Sequence, residues 1–441
     1  MTTVPPPGSP AGMSSEDVEP AQGEGPRSLW RHHDFRQLWI GDTISQIGTQ
    51  LSQLALPVLA VTVLHAGPRE MGLLTAFETL AFLVVGLPAG AWVDRWRKKR
   101  VLMTGDVVRA LTFGSLPLAW ALGHLTLGQL YVVALVAGVA TVFFDVAYQS
   151  YLPAIVEADQ MVDGNAKLQA SQSVAQVAGP AVGGALLRVV AAPVLVAADA
   201  VSFALSALFV RRIRHDETPP PRESRRPLRT EIAEGLAFVV RHPLLVRITA
   251  CTSIGNFASG VVNALFVLYA LRTLGLGTPT IGAVFSVAAV GGLAGAVVTA
   301  RVVRVVGEAR TIPLAAVLFG VGELATPLAA YFAGTGPRVV LLCAGAALAG
   351  LGVVIYNVTQ VSFRQRLCPP ALLGRMNASV RFIVWGSQPL GALAGGFLGA
   401  AIGIVPTLWI GAGLHLASSL PVLLSPLLRM RDLPRELDAT A

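Results

Sequence analysis

Charged side chains are scarce in this sequence. Asp, Glu, Lys and Arg make up only 13% of its 441 residues, well below the roughly 25% typical of soluble domains. Hydrophobic residues account for 54%, and the mean hydropathy of the whole chain is +0.64. One membrane anchor of about 20 residues would barely move that average. The composition therefore excludes an ordinary soluble enzyme or a disordered chain, and it predicts a polytopic membrane protein.

The sequence also has few residues suited to covalent or metal chemistry. Its cysteines, Cys251, Cys343 and Cys368, lie far apart, and neither a CxxC motif nor a histidine cluster accompanies them; we expect neither disulfides nor metal ligands. A catalytic triad and a phosphate-binding GxxxxGK[ST] motif are both missing, so ATP is not the direct energy source. We expect no enzyme activity, no cofactor and no metal.

What the chain does have is a series of apolar windows. Each is close to the length that crosses a bilayer, and in lipid such segments must be helical because their backbone groups have no water to bond. The windows give an all-α prediction of twelve transmembrane helices, near residues 37–64, 71–93, 101–122, 128–150, 168–190, 192–210, 248–271, 280–303, 311–333, 338–361, 378–402 and 404–428.

The distribution of Lys and Arg predicts the orientation. The net charge is +8. If both termini lie on the same side of the membrane, the segments on that side contain 28 of the 33 Lys and Arg residues, and the loops on the opposite side contain four. Basic residues favour the cytoplasmic side of a membrane, so both termini are predicted to be cytoplasmic, in a plasma-membrane protein. This bias explains the positive charge better than nucleic-acid binding does.

The chain divides into two halves. A match between the segments beginning at Asn165 and Asn377, at an offset of 212 residues, makes the fifth and eleventh windows equivalent parts of two repeats, the architecture of major facilitator transporters. The predicted organisation follows: a disordered cytoplasmic tail, a six-helix half, a cytoplasmic linker, a second six-helix half and a cytoplasmic tail, at 1–33, 34–210, 211–245, 246–428 and 429–441.

A loop signature follows the second window. The core Gly90-x3-Asp94-Arg95-x-x-Lys98-Lys99 resembles the loop motif of the major facilitator superfamily, although Arg97 replaces its usual glycine. The resemblance implies a latch that favours one access state. A simple positive-inside stop would explain the basic residues but would leave Asp94 unexplained.

Two further motifs lie inside windows. Asp106 and Arg109 are three residues apart on one helical face, where they can pair, and either a gating role or a purely structural ion pair fits them. Gly179, Pro180, Gly183 and Gly184 form the sequence GPAVGG, which resembles the GPxxGG signature of drug and proton antiporters. Small residues at this spacing let helices approach closely.

The resemblance extends over residues 33–430. Segments such as "GLPAGAWVDRWRKKR", "FFDVAYQSYLPAIV" and "NAKLQASQSVAQVAGPAVGGAL" are similar to the third drug-proton antiporter family of the major facilitator superfamily, which includes enterobactin exporters and macrolide efflux proteins. The resemblance implies export of a hydrophobic or amphipathic small molecule in exchange for protons. The arginine that other drug antiporter families carry in the fourth span has no counterpart here, so coupling through it is excluded.

Acids within apolar windows are the candidates for carrying protons, because ionisable groups in membranes are costly and usually functional. Glu78, Asp199 and Glu323 lie well inside their windows and are the favoured candidates, whereas Asp42 and Asp145 lie nearer the cytoplasmic ends, where we expect them to cap helices or bond neighbouring backbone. For each of them a structural role remains an alternative. We expect a monomer that binds protons and a small molecule, surrounded by the lipid bilayer, and no nucleic acid. Uptake or lipid movement by the same fold is the first alternative, and a non-transporting receptor or scaffold is the second.

Overall fold

A computed structural model describes residues 29–93, 95–215, 217, 228–368 and 372–432. The described chain is helical and contains no strand. Its helices are α1 (His33–Thr62), α2 (Pro68–Val93), α3 (Lys98–Ala121), α4 (Leu127–Ile155), α5 (Met161–Leu186), α6 (Ala192–Arg212), α7 (Leu228–Arg241), α8 (Pro243–Leu268), α9 (Thr278–Val306), α10 (Glu308–Glu323), α11 (Ala325–Leu328), α12 (Thr335–Leu367), α13 (Leu373–Ile402), α14 (Ile404–Ser418) and α15 (Leu420–Leu423).

The helices follow the apolar windows of the sequence. α1 to α6 form an N-terminal half, and α8 to α15 form a C-terminal half in which α10 with α11, and α14 with α15, each make one broken helix. Short connections make successive helices antiparallel. The additional helix α7 lies between the halves in sequence and packs against α8 and α13, where Glu234 pairs with Arg375.

Eight of these helical segments are long and apolar enough to cross a membrane, judged by length and composition. They are α3, α4, α6, α8, α9, α10 with α11, α12, and α14 with α15. The helices α1, α2, α5 and α13 have 30, 26, 26 and 30 residues and pack among them. The result is a polytopic helical bundle; the number of twelve membrane crossings stays a prediction from the sequence.

The two halves touch through glycines near one end of the bundle. On the α2–α13 contact, a Cβ added at Gly72 would lie 2.6 Å from the Cα of Gly396. On the α5–α9 contact, one added at Gly282 would lie 2.1 Å from the carbonyl oxygen of Pro180. Backbones can approach this closely only where both helices present small residues. We call this the closed end.

At the other end, which carries Arg97, Arg212 and Arg366 and which we call the basic end, the halves are separated. Gly86 and Gly90, on the continuation of the same helix α2, have open space where a Cβ would stand. A cavity lies there between α2 and α4 on one side and α13 on the other. The bundle is thus closed at one end and open toward its basic end.

Candidate functional site

Two neighbouring cavities open toward the basic end. The interhalf cavity, of about 350 Å³, is lined by Phe82 of α2, Asp145 and Gln149 of α4, and Asn377 and Arg381 of α13. It therefore brings together residues of both halves. The apolar wall and the few polar groups are features of a small-molecule site.

The C-half cavity, of about 330 Å³, lies among α8, α10, α12, α13 and α14. Its polar lining includes Asn256, Tyr356, Gln360 and Arg364, and Arg381 lines it as well as the interhalf cavity.

Aromatic rings contribute to both cavities. Trp385 lines the C-half cavity and stacks on Phe82 of the N-terminal half, with ring centroids 5.2 Å apart. Tyr356 is buried, and its hydroxyl lies 2.8 Å from Thr252 Oγ1 and donates to the carbonyl oxygen of Ile248 at 3.2 Å. The aromatic residues that line the two cavities are Phe82, Phe319, Tyr356, Phe382 and Trp385.

Arg109 is the centre of a buried polar cluster in the N-terminal half. Its Nη2 donates to Asp106 Oδ1 at 2.5 Å, and Ser206 Oγ donates to the other carboxylate oxygen of Asp106 at 2.7 Å. The guanidinium lies between two rings, 4.2 Å from the centroid of Phe144 and 4.4 Å from that of Phe203. Aromatic faces on both sides stabilise a cation that is held away from water.

Three more acids surround this ion pair. Asp145 and Asp199 both interact electrostatically with Arg109, and Asp42 does so with Asp106 and Asp145. Ser202 Oγ donates to Asp199 Oδ1 at 2.9 Å. Three carboxyl groups thus interact with one buried guanidinium, and the fourth, Asp42, interacts with two of those acids. The cluster has more acids than its one cation can neutralise. Unpaired charge is costly in such an interior.

Asp145 connects this cluster to the cavity. It lines the interhalf cavity and interacts electrostatically both with Arg109 in its own half and with Arg381 in the other half. It forms no direct ion pair with either arginine in the described structure.

Glu78 and Glu323 lie apart from the cluster. Neither makes a hydrogen bond or an ion pair with any residue that the structure describes. Glu78 is on α2 beside α4, where its carbonyl oxygen approaches Gly138, and Glu323 ends α10. The structure therefore separates the five acids into a group of three and two isolated residues.

The loop signature is described only in part, because Asp94 lies outside the described residues. Arg95 is exposed. Lys98 Nζ donates to the carbonyl oxygen of Ser150 at 2.9 Å, and the backbone N–H of Lys99 donates to Glu217 Oε1 at 2.9 Å. These contacts connect the start of α3 to the end of α4 and to the chain beyond α6.

The GPAVGG segment packs against two helices. Cβ atoms added at Gly179 and Gly183 would meet Gln50 and Leu51 of α1 at 2.4 and 3.2 Å. Gly184 faces α9, where Thr278 Oγ1 donates to its carbonyl oxygen at 3.1 Å. The turn that contains Pro180 thus takes part in the α5–α9 contact at the closed end.

Arg381 and Arg364 are cavity residues that sequence reasoning assigned only to the membrane-orientation bias. A signal was available for Arg381, because this arginine falls inside an apolar window, where a charge is costly. Gln360 and Ser206 carried no such signal, because their importance depends on what other helices bring beside them.

Comparisons with known proteins agree with this architecture. The model of the family described as Major Facilitator Superfamily matches residues 38–332. The chain belongs to the Major Facilitator Superfamily. Macrolide efflux protein A of Streptococcus pyogenes is 21% identical to it over 373 residues, covering 84% of this chain and 90% of that protein. The multidrug efflux pump Tap of Mycolicibacterium fortuitum is 28% identical over 389 residues, covering 86% and 90%.

A solved structure shares the fold. The crystal structure of the nucleoside transporter NupG aligns with a TM-score of 0.69 at 13% identity, covering 88% of this chain and 98% of that one. As a Major Facilitator Superfamily member, this protein is a multi-pass membrane transporter of a small molecule and not an enzyme. The expected all-α, two-half major facilitator fold is confirmed.

Proposed function

We propose that this transporter is a proton-coupled exporter of a hydrophobic or amphipathic small molecule, such as an antibiotic, a siderophore or a secondary metabolite. Export is supported by the relatives, which are named as macrolide and multidrug efflux proteins. We place the transporter in the plasma membrane as a monomer, with its basic end and both termini in the cytoplasm, as the bias of Lys and Arg predicts.

The observation that carries the proposal is the position of Asp145. This carboxyl group lines the interhalf cavity and adjoins a buried cluster with surplus acids. A carboxyl group that alternates between water and a membrane interior can bind a proton on one side and release it on the other. Asp145 is therefore the favoured proton site, with Asp42 and Asp199 as its partners.

Glu78 and Glu323 become the less favoured candidates. When a proton site loses its proton, a nearby cation must stabilise the negative charge that appears. Arg109 can do this for Asp145, with which it interacts electrostatically. Neither glutamate has a charged partner among the described residues.

The closed end and the basic end would act in alternation. The glycine contacts of α2 with α13 and of α5 with α9 would open when the basic end closes. The loop signature with Gly90, Asp94 and Arg95, together with Asp106 and Arg109, would then favour one of these two states. In this account the loop signature is a latch.

Transport in inverted membrane vesicles tests the function. With an imposed proton gradient, we expect at least one member of a panel of labelled antibiotics and siderophores, erythromycin included, to accumulate in vesicles that contain the protein. A protonophore should abolish this accumulation. Accumulation that continues at the same level in the presence of the protonophore would exclude proton coupling. Movement of the labelled compounds only out of the inverted vesicles would favour the uptake alternative.

A further inference from the structure

The C-half cavity differs from the N-terminal half in the sign of its charge. Among the described residues that line it are two arginines, Arg364 and Arg381, and no Asp or Glu. Four acids, Asp42, Asp106, Asp145 and Asp199, gather instead around the Arg109 ion pair in the other half. The described lining of the C-half cavity therefore carries positive charge without an acid to balance it.

Arg364 is the arginine of this wall that lacks an acidic partner. It forms no ion pair with any described residue, and its Nε is buried without a hydrogen-bond partner in the described structure. Its neighbour Arg366, on the same helix α12, pairs with Glu308 instead. Arg381 is partly balanced by Asp145 across the interhalf cavity. An unpaired guanidinium beside an apolar cavity is suited to bind a ligand anion.

A buried amide provides an independent observation. Gln360 lines the cavity one turn before Arg364 on α12 and is only 3% exposed. Its Oε1 has no hydrogen-bond partner in the described structure. Buried polar groups nearly always make hydrogen bonds, so we expect a ligand or a water molecule to supply the missing hydrogen bond of this amide. A ligand carboxylate only accepts hydrogen bonds, so it would be bound by Arg364 and by the Nε2 donor of Gln360, while Oε1 would accept from water or from a donor group of the ligand.

We propose that the C-half cavity binds the acidic group of an amphipathic organic acid, with Arg364 as its cation, Gln360 Nε2 as a hydrogen-bond donor, and Trp385 and Phe319 against its apolar body. A cavity of about 330 Å³ holds a compact ring system rather than a two-chain lipid. This inference names a substrate class for the proposed exporter and rests on that proposed function.

Two probes of matched shape test this site. 1-Naphthaleneacetate carries a carboxylate, and 1-naphthaleneacetamide replaces it with a neutral amide. Their binding to the purified full-length protein in neutral detergent is measured by calorimetry. We expect the acid to bind about tenfold more tightly than the amide, since a charge-assisted contact stabilises it. No gradient or transport enters this measurement, so its failure would leave the exporter proposal untouched.

Variants of α12 assign the preference to Arg364. Arg364→Gln should bring the two affinities to within about twofold of each other, whereas Arg364→Lys should keep a preference for the acid. Arg366→Gln is the matched control, two residues away and outside the cavity lining, and it should retain the full preference. Equal affinities in the unmodified protein, failure of the acid to bind, or a preference that survives in Arg364→Gln would each overturn the proposal.

Discussion

Asp145 of α4 and Arg381 of α13 face each other across the interhalf cavity. This acid and this arginine interact electrostatically between the two halves at the basic end, although no direct ion pair joins them in the described structure. Their attraction would grow as the halves approach, because Coulomb energy rises at shorter distance. Protonation of Asp145 would remove that attraction. Protonation of Asp145 would thereby change both the number of protons bound and the distance between the two halves.

The Asp106–Arg109 pair gives a prediction on stability. Removing one partner leaves the other charge buried, which costs roughly 3–5 kcal/mol. We expect Arg109→Gln to lower the melting temperature in detergent by about 5 °C or more, and the double variant Asp106→Asn with Arg109→Gln to recover part of the loss. Lys167→Gln, which breaks a more exposed pair with Asp163, is the control and should change little. Equal melting temperatures for Arg109→Gln and the control would contradict a charge-paired core.

Much of the fold could be predicted from the sequence because each membrane helix is determined by one run of consecutive residues. Their length, apolarity and Lys and Arg bias are properties of consecutive residues, so the series of helices and its division into two halves could be read from the chain itself. The spacing of Asp106 and Arg109 is enough to anticipate their contact, since three residues on a helix place side chains on one face.

The site was less predictable because its partners come from distant segments. Ser206 is a hundred positions from Asp106, and Arg381 meets Asp145 only after the two halves assemble. Glu78, Asp199 and Glu323 all lie well inside their windows, yet only Asp199 lies near a buried cation. Depth along a helix says nothing about what the neighbouring helices contribute.

The glycine contacts predict that a Gly→Ala substitution slows transport at the closed end but not at the basic end. A Cβ at Gly72 would meet the Cα of Gly396 at 2.6 Å, whereas one at Gly86 meets nothing. We expect Gly72→Ala to slow transport about tenfold or more, because the closed end can no longer seal, and Gly86→Ala to stay within about twofold. Uptake of labelled substrate by vesicles measures both rates. Equal rates in the two variants would show that this contact does not limit the cycle.

The Lys and Arg asymmetry predicts the orientation of the protein. In a background without its native cysteines, Ser224→Cys, in the predicted linker, should react with a membrane-impermeant maleimide only after the cells are opened. His124→Cys, in the exposed connection between α3 and α4, should react in intact cells. Labelling of Ser224→Cys from outside intact cells would reverse the predicted topology.

The latch hypothesis predicts the effect of removing the charge of Asp94. Asp94→Asn should cut transport about tenfold while expression stays near normal, because a coupling of about 1–3 kcal/mol shifts an access equilibrium by roughly that factor. Asp163→Asn, at an acid in the first turn of α5, is the control and should transport normally. Unchanged transport in Asp94→Asn would mean that the loop signature only orients the chain in the membrane.

We propose that acids of the Arg109 cluster carry the coupled proton. In proteoliposomes we would compare pH-gradient-driven uptake with substrate counterflow, which needs binding and alternation but no net proton transfer. Asp145→Asn, with Asp42→Asn and Asp199→Asn beside it, preserves shape and removes titration. Glu78→Gln and Glu323→Gln are the controls and should retain gradient-driven uptake.

The decisive measurement is gradient-driven uptake by the triple variant Asp42→Asn, Asp145→Asn, Asp199→Asn relative to its own counterflow. We expect gradient-driven uptake to fall by about tenfold or more while counterflow persists. If the triple variant still accumulates substrate with the gradient as the unmodified protein does, other groups carry the coupled proton and the assignment to the Arg109 cluster is wrong.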